Sequence, residues 1–143
     1  FRSMAEFSQE ELRAIEAVNV ALQRAGFAAK LGEIQKPTIS AYASDGAIAF
    51  ANPSNIAELT KGSAGAYTLA APTAAQEGYR LLILNQSAYA HVVTATNLLD
   101  DGVTGGAKDT ATFGAFVGAT LDLIAINLKW HVVSKNVCTI AAV

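Results

Sequence analysis

Charge is what this chain has least of. Asp, Glu, Lys and Arg make up 15% of its 143 residues, against about 25% in an ordinary soluble domain. The net charge is −2 and no basic stripe stands out, so the electrostatic footprint of a nucleic-acid binder is missing. One cysteine, Cys138, excludes an internal disulfide. Apolar residues reach 52%, yet no uncharged apolar run is as long as the roughly 18 residues of a spanning helix. Membrane insertion is therefore not expected. No signal-peptide pattern is visible either. Residues 1–3, ahead of the single methionine Met4, read as a vector-derived scar outside the fold.

Catalytic vocabulary is equally sparse. The histidines are His91 and His131 alone. With Cys138 they are too few and too scattered to suggest a zinc site, which needs three or four ligands. A Cys138–His131 nucleophile pair lacks a helper group nearby. No G-x-S-x-G elbow is present, and Gly105-Gly106 is not followed by the Lys-Ser/Thr of a phosphate loop. Asp100-Asp101-Gly102 with Asp109 does not match the spacing of a twelve-residue calcium loop and reads as a solvated turn. Asp122 is the only acid on the later strands, so no glycosidase carboxylate pair suggests itself. The expectation is a non-enzyme with no catalytic residue, no metal and no cofactor.

What the chain does have is pattern. Ser8 and Glu11 make an S-x-x-E capping box, and Phe7 with Leu12 has the spacing of a hydrophobic staple. Leu12, Ile15, Val18 and Leu22 then recur at helical spacing up to Ala25, and Gly26 reads as the C-cap. These four apolar residues are the expected contact face of an N-terminal helix. Leu12, Ile15, Asn19 and Leu22 also fit two heptads with Asn at an a position. The helix is expected either to pack on its own domain or to associate with other copies. Residues 27–37 read as a connector, closed by Lys36-Pro37, which favours extended backbone.

Beyond Pro37 the period changes to two. Expected strands are Thr38–Ala43, Ala47–Ala51, Ile56–Thr60, Ala66–Ala70, Tyr79–Asn85, His91–Thr96, Thr112–Val117, Thr120–Ile126, Trp130–Ser134 and Val137–Ile140. Turn signals separate them every 8 to 12 residues or so, the spacing of an all-β sandwich or barrel. The fold expectation is mainly β: residues 38–143 as an antiparallel β-sandwich or barrel-like domain, preceded by one helix in residues 4–37. The strongest hairpin joins Thr120–Ile126 to Trp130–Ser134 around Asn127-Leu128-Lys129. Asn127 tolerates positive φ, whereas Leu128 stands where Gly would be easier.

The stretch from Thr110 to Leu128 carries one ionisable side chain, Asp122. Leu123-Ile124-Ala125 and Val132-Val133 are apolar on both faces of their strands, which implies cover on both sides. The expected cover is a second sheet on one side and a neighbouring copy on the other. The residues expected at that interface are Phe113, Phe116, Val117, Leu121, Leu123, Ile124, Ile126, Trp130, Val132 and Val133. Tyr42, Tyr67, Tyr79, Tyr89 and Trp130 could stack on sugars, but strand aromatics are more often core or interface anchors.

Several ordered segments carry a resemblance. They are Gly65-Ala-Tyr-Thr-Leu-Ala-Ala-Pro-Thr73, Leu81–Asn85, Ala90-His-Val-Val-Thr94, Asp101-Gly102, Ala111-Thr-Phe-Gly-Ala-Phe-Val-Gly-Ala-Thr120, Leu123-Ile-Ala-Ile-Asn127, Lys129-Trp130 and Val132-Val-Ser134. Together, over about residues 65–140, they resemble a domain of tailed-bacteriophage structural proteins, including head-fibre and capsid-decoration proteins. The shared positions set shape and carry no chemical signature. Members usually have Asn-Gly at the last hairpin, and Leu128 departs from that. The resemblance implies a homotrimer on the virion surface, made in the bacterial host cytoplasm. It also implies partners in the major capsid protein or another virion protein. A receptor- or carbohydrate-binding tip domain of a tail fibre, with a host-surface glycan as ligand, is the alternative expectation.

Overall fold

The computed structural model describes residues 8–143, and for residues 27–35 the backbone alone. The expected scar at residues 1–3 and the Phe7 half of the staple lie outside the described residues. The chain divides into two compact units, residues 1–36 and 37–143.

The first unit is helix α1, Gln9–Gln35. Ser8 caps it as the motif requires: its Oγ accepts the Glu11 N–H at 3.2 Å, and its carbonyl accepts the Leu12 N–H at 3.0 Å. The helix does not stop at Gly26, nor are residues 27–35 a connector. Gly26 is only a weak helix residue, costing about 1 kcal/mol against Ala. The Ala28-Ala29-Lys30-Leu31 run that follows favours continuation. The stop is Pro37, which bars helical backbone at the residue before it. Ile15, Val18, Val20 and Leu22 are exposed along α1, and Leu12 is half-buried.

The second unit holds ten strands: β1 Thr38–Tyr42, β2 Gly46–Ala47, β3 Ser54–Leu59, β4 Gly65–Thr68, β5 Arg80–Asn85, β6 His91–Asp100, β7 Lys108–Phe113, β8 Thr120–Ile126, β9 Lys129–Asn136 and β10 Cys138–Ala141. A single 3-10 turn, Ala74–Gln76, interrupts the long segment before β5. The main path of the sheet runs β1-β3-β5-β8-β9-β6-β4-β2, with β7 on β6 and β10 on β7.

The protein is thus mainly β with one N-terminal helix, but the sheet is mixed rather than antiparallel. β1, β3 and β5 run parallel to one another, as do β2, β4 and β6. Successive strands alternate between the two runs. Each parallel crossover is therefore made by a strand of the other run, with no α-helix between. The turns Ser44–Gly46, Asn52–Ser54 and Lys61–Ser63 swing the chain across the core instead of back onto its predecessor. Antiparallel pairing returns at β5–β8, β8–β9, β6–β7 and β7–β10.

Two irregularities set the later strands. A register break in β6 between Thr94 and Leu99 contains Asn97 at φ 57°, whose N–H is taken by the Asp109 carboxylate at 2.7 Å. Before the break β6 pairs with β4, and after it with β9. The expected strand Thr112–Val117 lies earlier, at Lys108–Phe113. Residues 114–118 form a turn, closed by Phe116 N–H to Gly114 O at 2.8 Å and Ala119 N–H to Phe116 O at 3.2 Å.

One core fills the unit. Leu59, Leu81, Ile83, Leu99, Phe113, Leu121, Leu123 and Trp130 are all at 0% exposure, drawn from both parallel runs and the antiparallel strands. Among the described residues no buried side-chain polar atom lacks a partner. Residues 37–143 therefore carry a complete core of their own. A chain starting at Pro37 is expected to melt cooperatively with strand-type circular dichroism; a non-cooperative melt would show that the helix is needed for folding.

Candidate functional site

Three arrangements concentrate functional character, and the first surrounds His91. This residue opens β6, faces inward and is at 0% exposure. Its Nδ1 accepts the Gly65 N–H at 3.0 Å, and its Nε2 lies 2.7 Å from Ser87 Oγ. Because Nδ1 is an acceptor, the neutral ring carries its proton on Nε2 and donates it to Ser87. The Ser87 hydroxyl in turn donates to Asn85 Oδ1 at 3.0 Å. Ser and His in contact suggest a nucleophile and its base. The tautomer is wrong for that role, since a ring already protonated on Nε2 cannot take the serine proton. The cluster is a closed polar network. Tyr67 packs edge-on to the ring at 5.7 Å. Burial, and then Lys61, pull the His91 pKa below the ordinary histidine value, while Asp45 opposes them weakly.

The remaining chemistry-bearing residues are apart from it. His131 lies on β9, its Nε2 3.4 Å from Asp100 Oδ2, both side chains partly exposed. Cys138 opens β10, paired with Phe113, and burial pushes its thiol up to about 11. It stays protonated and unreactive at neutral pH. The acids of the 100–109 region are each engaged locally. Asp101 Oδ1 takes the Val103 N–H at 3.1 Å. Asp109 takes the N–H groups of Asn97 and Val143, which hold its carboxyl below the usual range. No group of three or more His, Cys, Asp or Glu side chains that would suit a metal occurs among the described residues.

The second arrangement is the outward face of β1, β3, β5 and β8. Alternation puts Asn55, Ala57, Leu59, Leu81, Ile83, Leu121, Leu123 and Ala125 inward. The residues between them face out. Register aligns Ile39, Ile56 and Leu82 in one row across three strands. Leu84 and Ile124 flank the row on β5 and β8. Ile39 is 60% exposed and the others are half-buried. The Arg80–Asp122 ion pair, 2.9 Å, sits within this face. Pro37, Ile56, Arg80, Leu82 and Asp122 line a shallow groove of about 350 Å³ there. An outward sheet face on a lone soluble domain ordinarily alternates to polar residues.

The third is one end of the sheet, where Tyr89, Phe116, Val117 and Val137 are exposed. Beside them an open cleft of about 560 Å³ runs between Ala90, Phe113, Gly114, Lys135 and Cys138. Val137 has φ 52°, a rare conformation for a β-branched residue. It is held there by Gly114, whose N–H donates to the Val137 carbonyl at 2.8 Å and whose missing Cβ leaves the space that Val137 Cγ1 fills.

The expected interface residues divide accordingly. Phe113, Leu121, Leu123 and Trp130 are in the protein's own core at 0% exposure, and that part of the expectation is corrected. Each sits at an inward-facing position of its strand. Ile124 and Val132 are half-buried, and Phe116, Val117, Ile126 and Val133 are exposed. Of the possible sugar-stacking rings, Tyr67 and Trp130 are buried and Tyr42 and Tyr79 half-buried, leaving Tyr89 exposed. Sequence reasoning missed Ile39, Ile56 and Leu82. The signal for Leu82 was present, because Leu81-Leu82-Ile83-Leu84 is as apolar on both faces as Leu123–Ile126.

No protein-family model matches the chain, and no curated protein matches it.

Proposed function

We propose that this protein is a non-enzymatic structural component of a tailed-phage particle. It acts as a homotrimeric capsid-decoration or head-fibre protein whose sandwich-like β unit presents the same contact three times. The observation that carries the self-association is the aliphatic row Ile39–Ile56–Leu82 with Leu84 and Ile124 on the outward sheet face. Left in water, such a row leaves aliphatic surface uncovered on the outward side of a sheet. Burial against another copy removes it. The virion assignment rests on the resemblance of residues 65–140 to phage structural proteins, and on site chemistry that is structural rather than catalytic. Its mechanism is binding energy: three linked contacts to a three-fold position on a shell add through effective concentration.

The exposed Tyr89 and Phe116 at one end favour a second reading, a glycan-binding tip domain of a tail fibre. Multi-angle light scattering at micromolar concentration is expected to give three times the 14.8 kDa chain mass. Leu82→Asp, on the outward face, is expected to reduce it to one chain mass with the fold intact. Co-sedimentation with empty capsids tests the shell contact, and a glycan array tests the alternative. A wild-type monomer would overturn the self-association.

A further inference from the structure

The His91 network does more than fill the core, because two loops hang from it. Asn85, also at 0% exposure, ends β5 and donates its Nδ2 to the carbonyls of Tyr89 and Gly114, both at 2.8 Å. Its main chain bonds Ala119 O and the Gly118 N–H, each at 2.8 Å. Its Oδ1 accepts from the Ser87 N–H and hydroxyl. Ser87 Oγ accepts the His91 proton and, at 3.3 Å, the Tyr89 N–H. The segment 86–90 and the turn 114–118 are therefore both anchored on Asn85. The first is pinned again by His91. These loops carry the exposed Tyr89, Phe116 and Val117.

Two of these links depend on His91 having one donor and one acceptor: the Gly65 N–H on Nδ1 and the Nε2 proton on Ser87 Oγ. A second proton goes on Nδ1, which already faces the Gly65 N–H at 3.0 Å. Two donors then oppose each other at a ring with 0% exposure, and the ring has no acceptor left. Gly65 is itself buried against the Tyr67 ring. The charged side chains that act on the ring are Lys61 and Asp45, which pair with each other at 2.7 Å. Asp45 also binds the Ala66 N–H at 2.9 Å. That carboxylate is engaged elsewhere and does not neutralise an imidazolium.

We propose that His91 is an acid-sensitive latch: its protonation breaks the Gly65 contact, displaces the ring and so removes its hold on Ser87, loosening segment 86–90, which carries Tyr89. The sign follows from burial. An unfolded histidine titrates near pH 6.5, and the folded one below that. The latch is closed above pH 6.5. The folded state loses stability as pH falls from there through the folded pKa, where the unfolded chain binds the extra proton.

Two measurements on the full chain test this. Nitrogen-15 NMR of the His91 imidazole from pH 8 to 4.5 reads its tautomer and titration. Hydrogen exchange, corrected for the intrinsic rate at each pH, reads loop protection. At neutral pH His91 is expected as the Nε2–H tautomer. On acidification, protection at residues 86–90 is expected to fall tenfold or more while β8 and the Asn85-anchored turn 114–118 hold. In His91→Gln, which carries no charge, that pH dependence is expected to vanish. An Nδ1–H tautomer at neutral pH, or wild-type protection at residues 86–90 unchanged down to pH 4.5, would overturn the proposal whether or not the variant folds.

Discussion

Trp130→Ala is expected to remove about 3–5 kcal/mol of stability, the range for emptying a fully buried large aromatic site. Trp130 is at 0% exposure and sits where β9 meets β6 and β8. Its ring takes Phe50 edge-on at 4.9 Å and 88°. Its Nε1–H donates to Ala70 O at 2.9 Å, tying β9 to the segment after β4. The parallel β6–β9 pairing is only two residues long, Leu99 with Trp130 and Asp100 with His131. The indole thus adds packing and a hydrogen bond at a seam with little backbone pairing. A domain of this size has about 5–15 kcal/mol in total, so the variant is expected to melt at least about 12 °C lower. Trp130→Phe separates packing from the hydrogen bond. It keeps an aromatic ring, and Ala70 is exposed enough for water to serve its carbonyl. Its expected cost is smaller, about 1–2 kcal/mol. Urea unfolding at one fixed protein concentration checks both. A Trp130→Ala loss below about 1 kcal/mol would mean that the seam is held by something else.

Trp130 also marks what the sequence could and could not tell. Its place at the start of β9 follows from the hairpin pattern, and the structure joins β8 to β9 by a two-residue turn. Asn127 and Leu128 there have φ 54° and 62°. Leu128 at positive φ breaks the usual rule. The turn has outside help, since both Glu77 carboxylate oxygens accept the Asn127 N–H, at 3.1 and 3.0 Å. That residue is 50 positions away, so local reading cannot find it. Strand existence was legible because alternation is local. Strand partners were not. A turn signal such as Ser44-Asp45-Gly46 says that the chain bends, and it reads the same whether the next strand pairs with the last or crosses to the other run. The helix end was misread for a related reason: Gly26 is a permitted stop, and Pro37 is the obligatory one. Of the candidate site, the paired apolar faces of β8 were legible from Leu123–Ile126. The His91 network was not, because Gly65 reaches His91 only through the parallel register of β4 on β6, and nothing in the spacing of Asn85, Ser87 and His91 says that their side chains close on one another.

Gly65→Ala is the second large effect, and its cause is unlike that at Trp130. Gly65 does not need its freedom of φ, since its backbone is an ordinary strand paired with His91. It needs the absence of a side chain. A Cβ there would lie 2.7 Å from Tyr67 Cε2 and 2.8 Å from His91 Nδ1. Neither ring has anywhere to go, because Tyr67 is 1% exposed and His91 0%. Tyr67 is further tethered by its hydroxyl to Tyr42 O at 3.0 Å. Overpacking of this kind costs about 1–3 kcal/mol. Displacing His91 adds the loss of a buried hydrogen bond, about 1 kcal/mol or more. Gly62 provides the control. A Cβ at Gly62 meets nothing within 4 Å, so Gly62→Ala is expected to be neutral or slightly stabilising through the unfolded chain. Because the damage at Gly65 runs through the His91 contact, it should be largest where that contact is intact. The Gly65→Ala deficit measured by urea unfolding is therefore expected to shrink between pH 7.5 and pH 5. Equal midpoints for the two alanine variants at pH 7.5 would show that the β4–β6 seam tolerates a methyl group, and the steric argument would fail.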